Sequence, residues 1–256
     1  MYKSTTARIV GVSALLAVAT ISSALAGEAP AVSGFNGNAA IIGTYNDDDR
    51  QSSEYGALLL GSATAPLSQE FGFQADAALG THDGSAVTGI GGHLFWRDPS
   101  TGLVGLTTSY LKINNSGPDH NVSRFGGEGE YYAGPFTLAL TSGYQNGSNV
   151  DNGFYGSATG YWYPDENMRL GIGATNDPEV ETAGVLSAEY QPDAMSMPGM
   201  SLFADASAGG NHDATSANVG VRFYFNSSGK SLKSRNREDG ALGNLPGNSI
   251  NSALMN

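Results

Sequence analysis

About twelve times between Phe35 and Phe225 the chain repeats one unit, some ten residues alternating apolar with small or polar side chains and closed by a turn. A period of two puts every second side chain on the same face of an extended strand. Nothing of helical period separates the units, so consecutive segments pair as antiparallel neighbours. A twisted sheet of about ten or more strands rarely stays open; it closes on itself or splits into two packed layers.

The predicted strands are Phe35 to Tyr45, Glu54 to Ala65, Phe71 to Thr81, Val87 to Arg97, Leu103 to Ile113 and Val122 to Ala133. Six more follow at Phe136 to Gln145, Phe154 to Tyr163, Met168 to Thr175, Thr182 to Gln191, Ser201 to Ala208 and Ala217 to Phe225. Because Met168 to Thr175 is short, a ten-strand barrel with one hairpin folded elsewhere is the alternative count.

Two observations bear on closure against splitting. From Gly27 onward no apolar run approaches the roughly 20 residues of a membrane helix, so only a closed barrel would let this chain span a bilayer. Cysteine is absent, so an exported form draws its stability from sheet closure or a large core. Export itself is expected. Lys3 and Arg8 precede an apolar stretch from Ile9 to Ala19, and Ala24-Leu25-Ala26 offers the small residues of a cleavage site. Residues 1–26 therefore read as a signal peptide, 27–226 as the barrel and 227–256 as a disordered periplasmic tail. The soluble alternative is a secreted β-sandwich.

The connections sort into two classes. One holds a proline each time: Pro66, Pro99, Pro135, Pro164 and Pro192. Proline cannot donate to a ladder and suits tight turns. The other class, Asn46 to Ser53, His82 to Ala86, Asn114 to Asn121, Asn146 to Gly153, Asn176 to Glu181 and Gly209 to Thr215, is acidic and rich in Asn, Gly and Ser. Aromatics crowd the proline end, with Phe95-Trp96, Tyr131-Tyr132, Tyr161-Trp162-Tyr163 and Phe223-Tyr224-Phe225. Trp96, Tyr131, Trp162, Phe223 and Phe225 are the expected headgroup-level anchors.

In the last strand Ala217, Val219, Val221, Phe223 and Phe225 share one face, and Asn218, Gly220, Arg222 and Tyr224 the other. An alternating terminal strand of this kind, here Gly220, Val221, Phe223 and Phe225, resembles the signal by which bacterial outer-membrane barrels are recognised for insertion. About thirty residues follow Phe225, a departure from that pattern, where the signal usually ends the chain. From Phe35 to Phe225 the chain resembles small outer-membrane barrel and porin-like proteins of Gram-negative bacteria, in pattern and not in any family motif. That resemblance implies the barrel-assembly machinery, lipid and lipopolysaccharide as partners.

The same parity predicts an interior lined by Asp76, His93, Arg97, Arg124, Glu128, Glu130, Arg169, Glu189, Asp205 and Arg222, with both signs of charge. Gly72, Gly89, Gly91, Gly171, Gly173, Gly184 and Gly220 fall on inferred inward positions, where they either leave room for a pore or ease the curvature of the sheet. Phe154 to Tyr163 has no clear parity; if Tyr155, Tyr161 and Tyr163 point inward they offer a stacking track for sugars.

Residues 27–226 hold 22 acidic side chains against six basic ones, a net of −16, which argues against nucleic acid as a partner and favours cations. The pairs His82-Asp83, Asp119-His120 and His212-Asp213, with Ser85 and Ser116 nearby, are the only catalytic or metal candidates, and no nucleophile elbow accompanies them. They read first as solvated loop tips. The acidic run Asp47-Asp48-Asp49 lacks EF-hand spacing. The expectation is a passive, porin-like diffusion channel for small hydrophilic solutes, modestly cation-preferring, with no enzyme activity, cofactor or metal. The alternative is a closed structural or surface-recognition barrel presenting acidic loops. Oligomeric state is not legible.

Overall fold

A computed structural model describes residues 29–49, 51–114, 120–192, 199–210, 213–226 and 229–242. The leader 1–26 lies outside them. Twelve strands form one sheet: β1 (Asn36–Asp48), β2 (Gln51–Pro66), β3 (Phe71–His82), β4 (Ser85–Asp98), β5 (Gly102–Asn114), β6 (His120–Ala133), β7 (Phe136–Ser148), β8 (Gly153–Asp165), β9 (Met168–Asp177), β10 (Glu181–Tyr190), β11 (Met200–Gly209) and β12 (Thr215–Phe225). Each strand pairs antiparallel with its sequence neighbours, and β12 pairs with β1 from Gly37↔Phe225 to Asp47↔Thr215, which closes the barrel. The ten-strand alternative and the sandwich are both excluded. The short segment at Met168 is a full strand of 10 residues that runs on to Asp177.

Closure removes the exposed sheet edge, and parity then decides which face meets what. In β3 the alternation is strict: Phe71, Phe73 and Leu79 are exposed outward while Gln74 and Asp76 are buried inward. Ile41, Leu59, Ile90, Leu106, Phe125, Leu140, Ile172, Leu186 and Val219 continue an outer belt of exposed large apolar side chains around the wall. Such a surface is unfavourable in water and matches hydrocarbon, as expected of a transmembrane barrel.

The inside departs from expectation in three ways. It is not uniformly polar, since Ala40, Ile42, Leu58, Val87, Leu111, Ile113, Val122 and Phe203 form a buried apolar cluster inside the wall toward the long-loop end. Val150, from the β7–β8 loop, packs onto it. Nor do the inward glycines simply hollow the lumen. A Cβ on Gly220 would lie 2.7 Å from Ile42 Cγ2 and 2.8 Å from Phe203 Cζ, so large side chains from neighbouring strands already occupy the space. Gly184 shares the outward parity of the exposed Leu186 and is not inward at all.

The tail is the third difference. Expected to be disordered, it instead contains helix α1 (Leu232–Glu238), capped by Ser231, whose Oγ accepts from the Ser234 N–H. Arg235 and Arg237 in its last turn suit the negative end of the helix dipole. Residues 243–256 lie outside the described part.

Candidate functional site

The barrel interior gathers the charged and aromatic side chains that the outer belt lacks. Alternation within β8 settles the ambiguous parity: Phe154 and Trp162 face out, and Tyr155, Tyr161 and Tyr163 face in. The aromatic crowd at the proline end therefore splits in two. Tyr131, Trp162, Phe223 and Phe225 are exposed on the outer face, with Trp96 half-buried beside them. Phe95, Tyr132 and Tyr163, each next to one of these anchors, are buried inside.

All ten side chains predicted to line the interior do point inward, yet most are spoken for by each other. At mid-barrel, His93 bridges two strands. Its Nε2 lies 2.9 Å from Asp76 Oδ2 and its Nδ1 2.9 Å from Glu128 Oε2. Both nitrogens donate only when the ring carries both protons, so the imidazolium is the form that satisfies both carboxylates. Ser62 Oγ and Gln74 Nε2 donate to Asp76 Oδ1 at 2.6 and 3.0 Å, completing a buried network that spans β2 to β6.

Toward the long-loop end, Arg124 donates through Nε and one terminal nitrogen to Gln145 Oε1, reaches Asp177 at 3.4 Å, and lies over the Tyr155 ring. Near the proline end, Glu189 sits between two arginines. Arg169 and Arg222 donate to its Oε2 at 2.8 and 2.9 Å, and Ser201 and Tyr224 donate to its Oε1 at 2.6 and 2.8 Å. Arg169 stacks on Tyr161 and Arg222 on Phe203. Glu130 accepts from the Tyr132 hydroxyl, and Arg97 turns toward the tail.

Asp205 is placed differently. A cavity of about 840 Å³ is bounded by Thr44, Gly56, Gly171, Ser187, Asp205 and Asn218 among others, and Asp205 is its one charged lining residue among those described. Because Gly56 on β2 and Gly171 on β9 stand nearly opposite in the ring of strands, a space touching both crosses the lumen. Small side chains at Thr44, Gly56, Gly171, Ser187 and Asn218 on the β9 to β2 arc leave this room, while Arg169 and Arg222 of the same arc turn to Glu189 nearer the proline end.

Among the catalytic candidates, His82 is buried and makes contacts other than the expected ones. Its Nδ1 meets Thr44 Oγ1 at 3.0 Å and its Nε2 meets Glu54 Oε2 at 3.2 Å. Asp119, Ser116 and His212 lie outside the described residues, so their pairs cannot be placed. No cluster of three or more His, Cys, Asp or Glu able to hold a metal occurs among the described residues.

The chain matches no protein-family model. No curated protein matches it either. Several solved structures share its fold. An outer-membrane channel from Pseudomonas putida F1 superposes with a TM-score of 0.59 at 10% identity, covering 79% of this chain and 100% of that one. The KdgM porin in complex with disordered oligogalacturonate gives a TM-score of 0.52 at 12% identity, over 72% of this chain and 98% of the porin. The outer membrane phospholipase dimer of Salmonella typhi with bound calcium gives 0.52 at 11% identity, over 75% and 91%. At such identities the likeness establishes the architecture, a closed antiparallel barrel of the outer-membrane type, and channels and an enzyme alike are built on it.

Proposed function

We propose that the protein is a porin-like channel in a bacterial outer membrane, passing small hydrophilic solutes by passive diffusion with a modest preference for cations. The cavity that crosses the lumen carries this reading, because it gives a solute room beside a wall whose inward positions are short side chains and glycines. Asp205, the one charged side chain on that cavity among those described, supports the cation preference, since Arg169 and Arg222 are turned onto Glu189 and covered by rings, away from the cavity lining. Two of the similar folds, the KdgM porin and the Pseudomonas channel, are named as conducting proteins.

In this reading the apolar belt sits in lipid, with lipopolysaccharide at the outer leaflet. The proline turns lie in the periplasm, and β12 is the strand that the insertion machinery meets. No catalytic step is assigned, because His82 is held between Thr44 and Glu54 without an identified oxyanion site. The second reading, a closed barrel presenting its acidic loops, is favoured by one observation: the tail covers the proline end.

The test is single-channel recording of the protein from Gly27 onward in a planar bilayer with unequal KCl on the two sides. Discrete steps with a reversal potential on the K⁺ side are expected. Insertion without steps, both with the tail and with the tail removed, would sink the channel reading.

A further inference from the structure

We propose that residues 229–242 are an internal plug that shuts the proline end of the barrel and must leave for the lumen to conduct, with Arg97 as its latch. This rests on the channel reading above. The evidence is circumferential. Leu232 donates its N–H to Asn167 at the β8–β9 turn, and Asn236 Nδ2 donates to the Tyr163 hydroxyl of β8 at 3.1 Å. Arg235 Nε donates to Gln191 beyond β10 and its guanidinium lies over the Tyr224 ring of β12. Arg237 donates to the Gly134 and Phe136 carbonyls at the β6–β7 turn and faces the Tyr132 ring. The Ala241 N–H donates to Gln74 of β3, and the Leu242 N–H to Glu130 of β6, each at 2.8 Å. A short segment that reaches strands on every side of the ring crosses the opening.

The deepest anchor is Arg97, 2% exposed on β4. Its guanidinium donates to the Asp239 and Gly240 carbonyls of the tail at 2.8 Å and to the Ala31 carbonyl, from the segment before β1, at 3.1 Å. Val32, Phe95, Leu103 and Ala241 pack beside it as a small apolar cluster. One ion pair joins the helix to the turn below it, Lys233 of α1 to Glu166 at 2.8 Å.

None of these contacts belongs to the strand ladder, and β12 closes on β1 without the tail. The segment can therefore leave with the wall intact. That distinguishes a removable stopper from a structural part of the sheet, and it reconciles a cavity inside the barrel with a covered end.

The experiment compares three mature proteins in planar bilayers: the full chain, a truncation ending at Asn226, and R97Q. Full-length channels are expected to be mostly closed, and the truncation to raise open probability at least tenfold, with R97Q in between. Equal open probability in all three would overturn the plug while leaving the channel reading in place.

A second readout does not depend on conduction. The chain has no cysteine, so the thiol of A241C is a single label site. In vesicles a membrane-impermeant maleimide should modify A241C at least tenfold faster once R97Q is added. Should no variant conduct, the channel reading fails, and labelling alone judges the plug: a rate unchanged by R97Q refutes it, an accelerated one upholds it.

Discussion

Replacing Glu189 by Gln tests whether the interior charges hold the barrel together. Glu189 is 1% exposed and accepts four hydrogen bonds, two from arginines and two from hydroxyls. Glutamine keeps the shape but only one accepting oxygen, so the change removes the negative charge and sets an NH2 group where two of the four donors had an acceptor. Arg169 and Arg222 would then face each other without their shared carboxylate, and the Nε of each already finds no acceptor. Removing one partner of a buried ion pair costs about 3 to 5 kcal/mol. The two arginine side chains retain 12% exposure and a ring to lie on, which points to the lower end, about 3 kcal/mol. The assay is reversible urea unfolding in lipid vesicles, read as the midpoint at constant slope. In a cycle with R222Q the double variant should lose less than the two single losses together, because removing the second arginine relieves the repulsion. An unchanged midpoint in E189Q, or strict additivity in the cycle, would refute the argument that this cluster is a stabilising network.

Three further outcomes follow from other parts of the molecule. I90R places a charge on the outer face in the middle of β4 and should cost about 2 to 4 kcal/mol, seen as a reduced yield of folded barrel in vesicles. D205N should lower the K⁺ over Cl⁻ permeability ratio about sixteenfold, since a unit charge about 5 Å from an ion in a watery path favours a cation by about 0.8 kcal/mol and disfavours an anion by as much, and an unchanged reversal potential would count against the cavity as the ion path. Glu166, hydrogen-bonded by Lys233 of α1, is held below its ordinary value near 4.5. A lowered carboxylate contributes to docking above its ordinary value and ceases to as pH falls through the lowered one, so A241C labelling, divided at each pH by the rate of a free thiol, should quicken as pH falls below the ordinary carboxylate range and stay constant from about pH 6 to 8.

The outer face was legible because lipid tolerates little but apolar side chains, so Phe71, Phe73 and Leu79 against Gln74 and Asp76 leave a single choice of register. The interior obeys no comparable rule. Ala40-Ile41-Ile42 and Leu58-Leu59-Leu60 are apolar on both faces, so period two could not reveal that Ile42 and Leu58 look inward onto a cluster built from β1, β2, β4, β5, β6 and β11. Inward charges could be named one by one, and hairpin register gives Arg169–Glu189 as cross-strand partners and Asp76–His93 as diagonal ones, but His93–Glu128 and Glu189–Arg222 skip a strand, and separation along the chain carries no trace of them. The tail misled by composition. Its Asn, Ser and charged residues suit a solvated chain, and also suit a mouth whose own groups are tyrosines, carbonyls and carboxylates. Ser231 before Leu232 and Gly240 after Glu238 were local cap and stop signals that could have marked the helix.

The two ends of the described chain meet at one place. β1 and β12 form the seam, and beyond it the Ser33 hydroxyl donates to Asp239 while the Ser33 N–H donates to the Glu238 carbonyl. The stopper is thus assembled from segments that flank the first and last strands, and Arg97 grips both, through Ala31 on one side and Asp239 and Gly240 on the other. Its full set of bonds becomes available only after the final strand has found the first. A half-assembled sheet, still open to lipid along one side, lacks the geometry to be stoppered, so a seated tail certifies that the ring above it is complete.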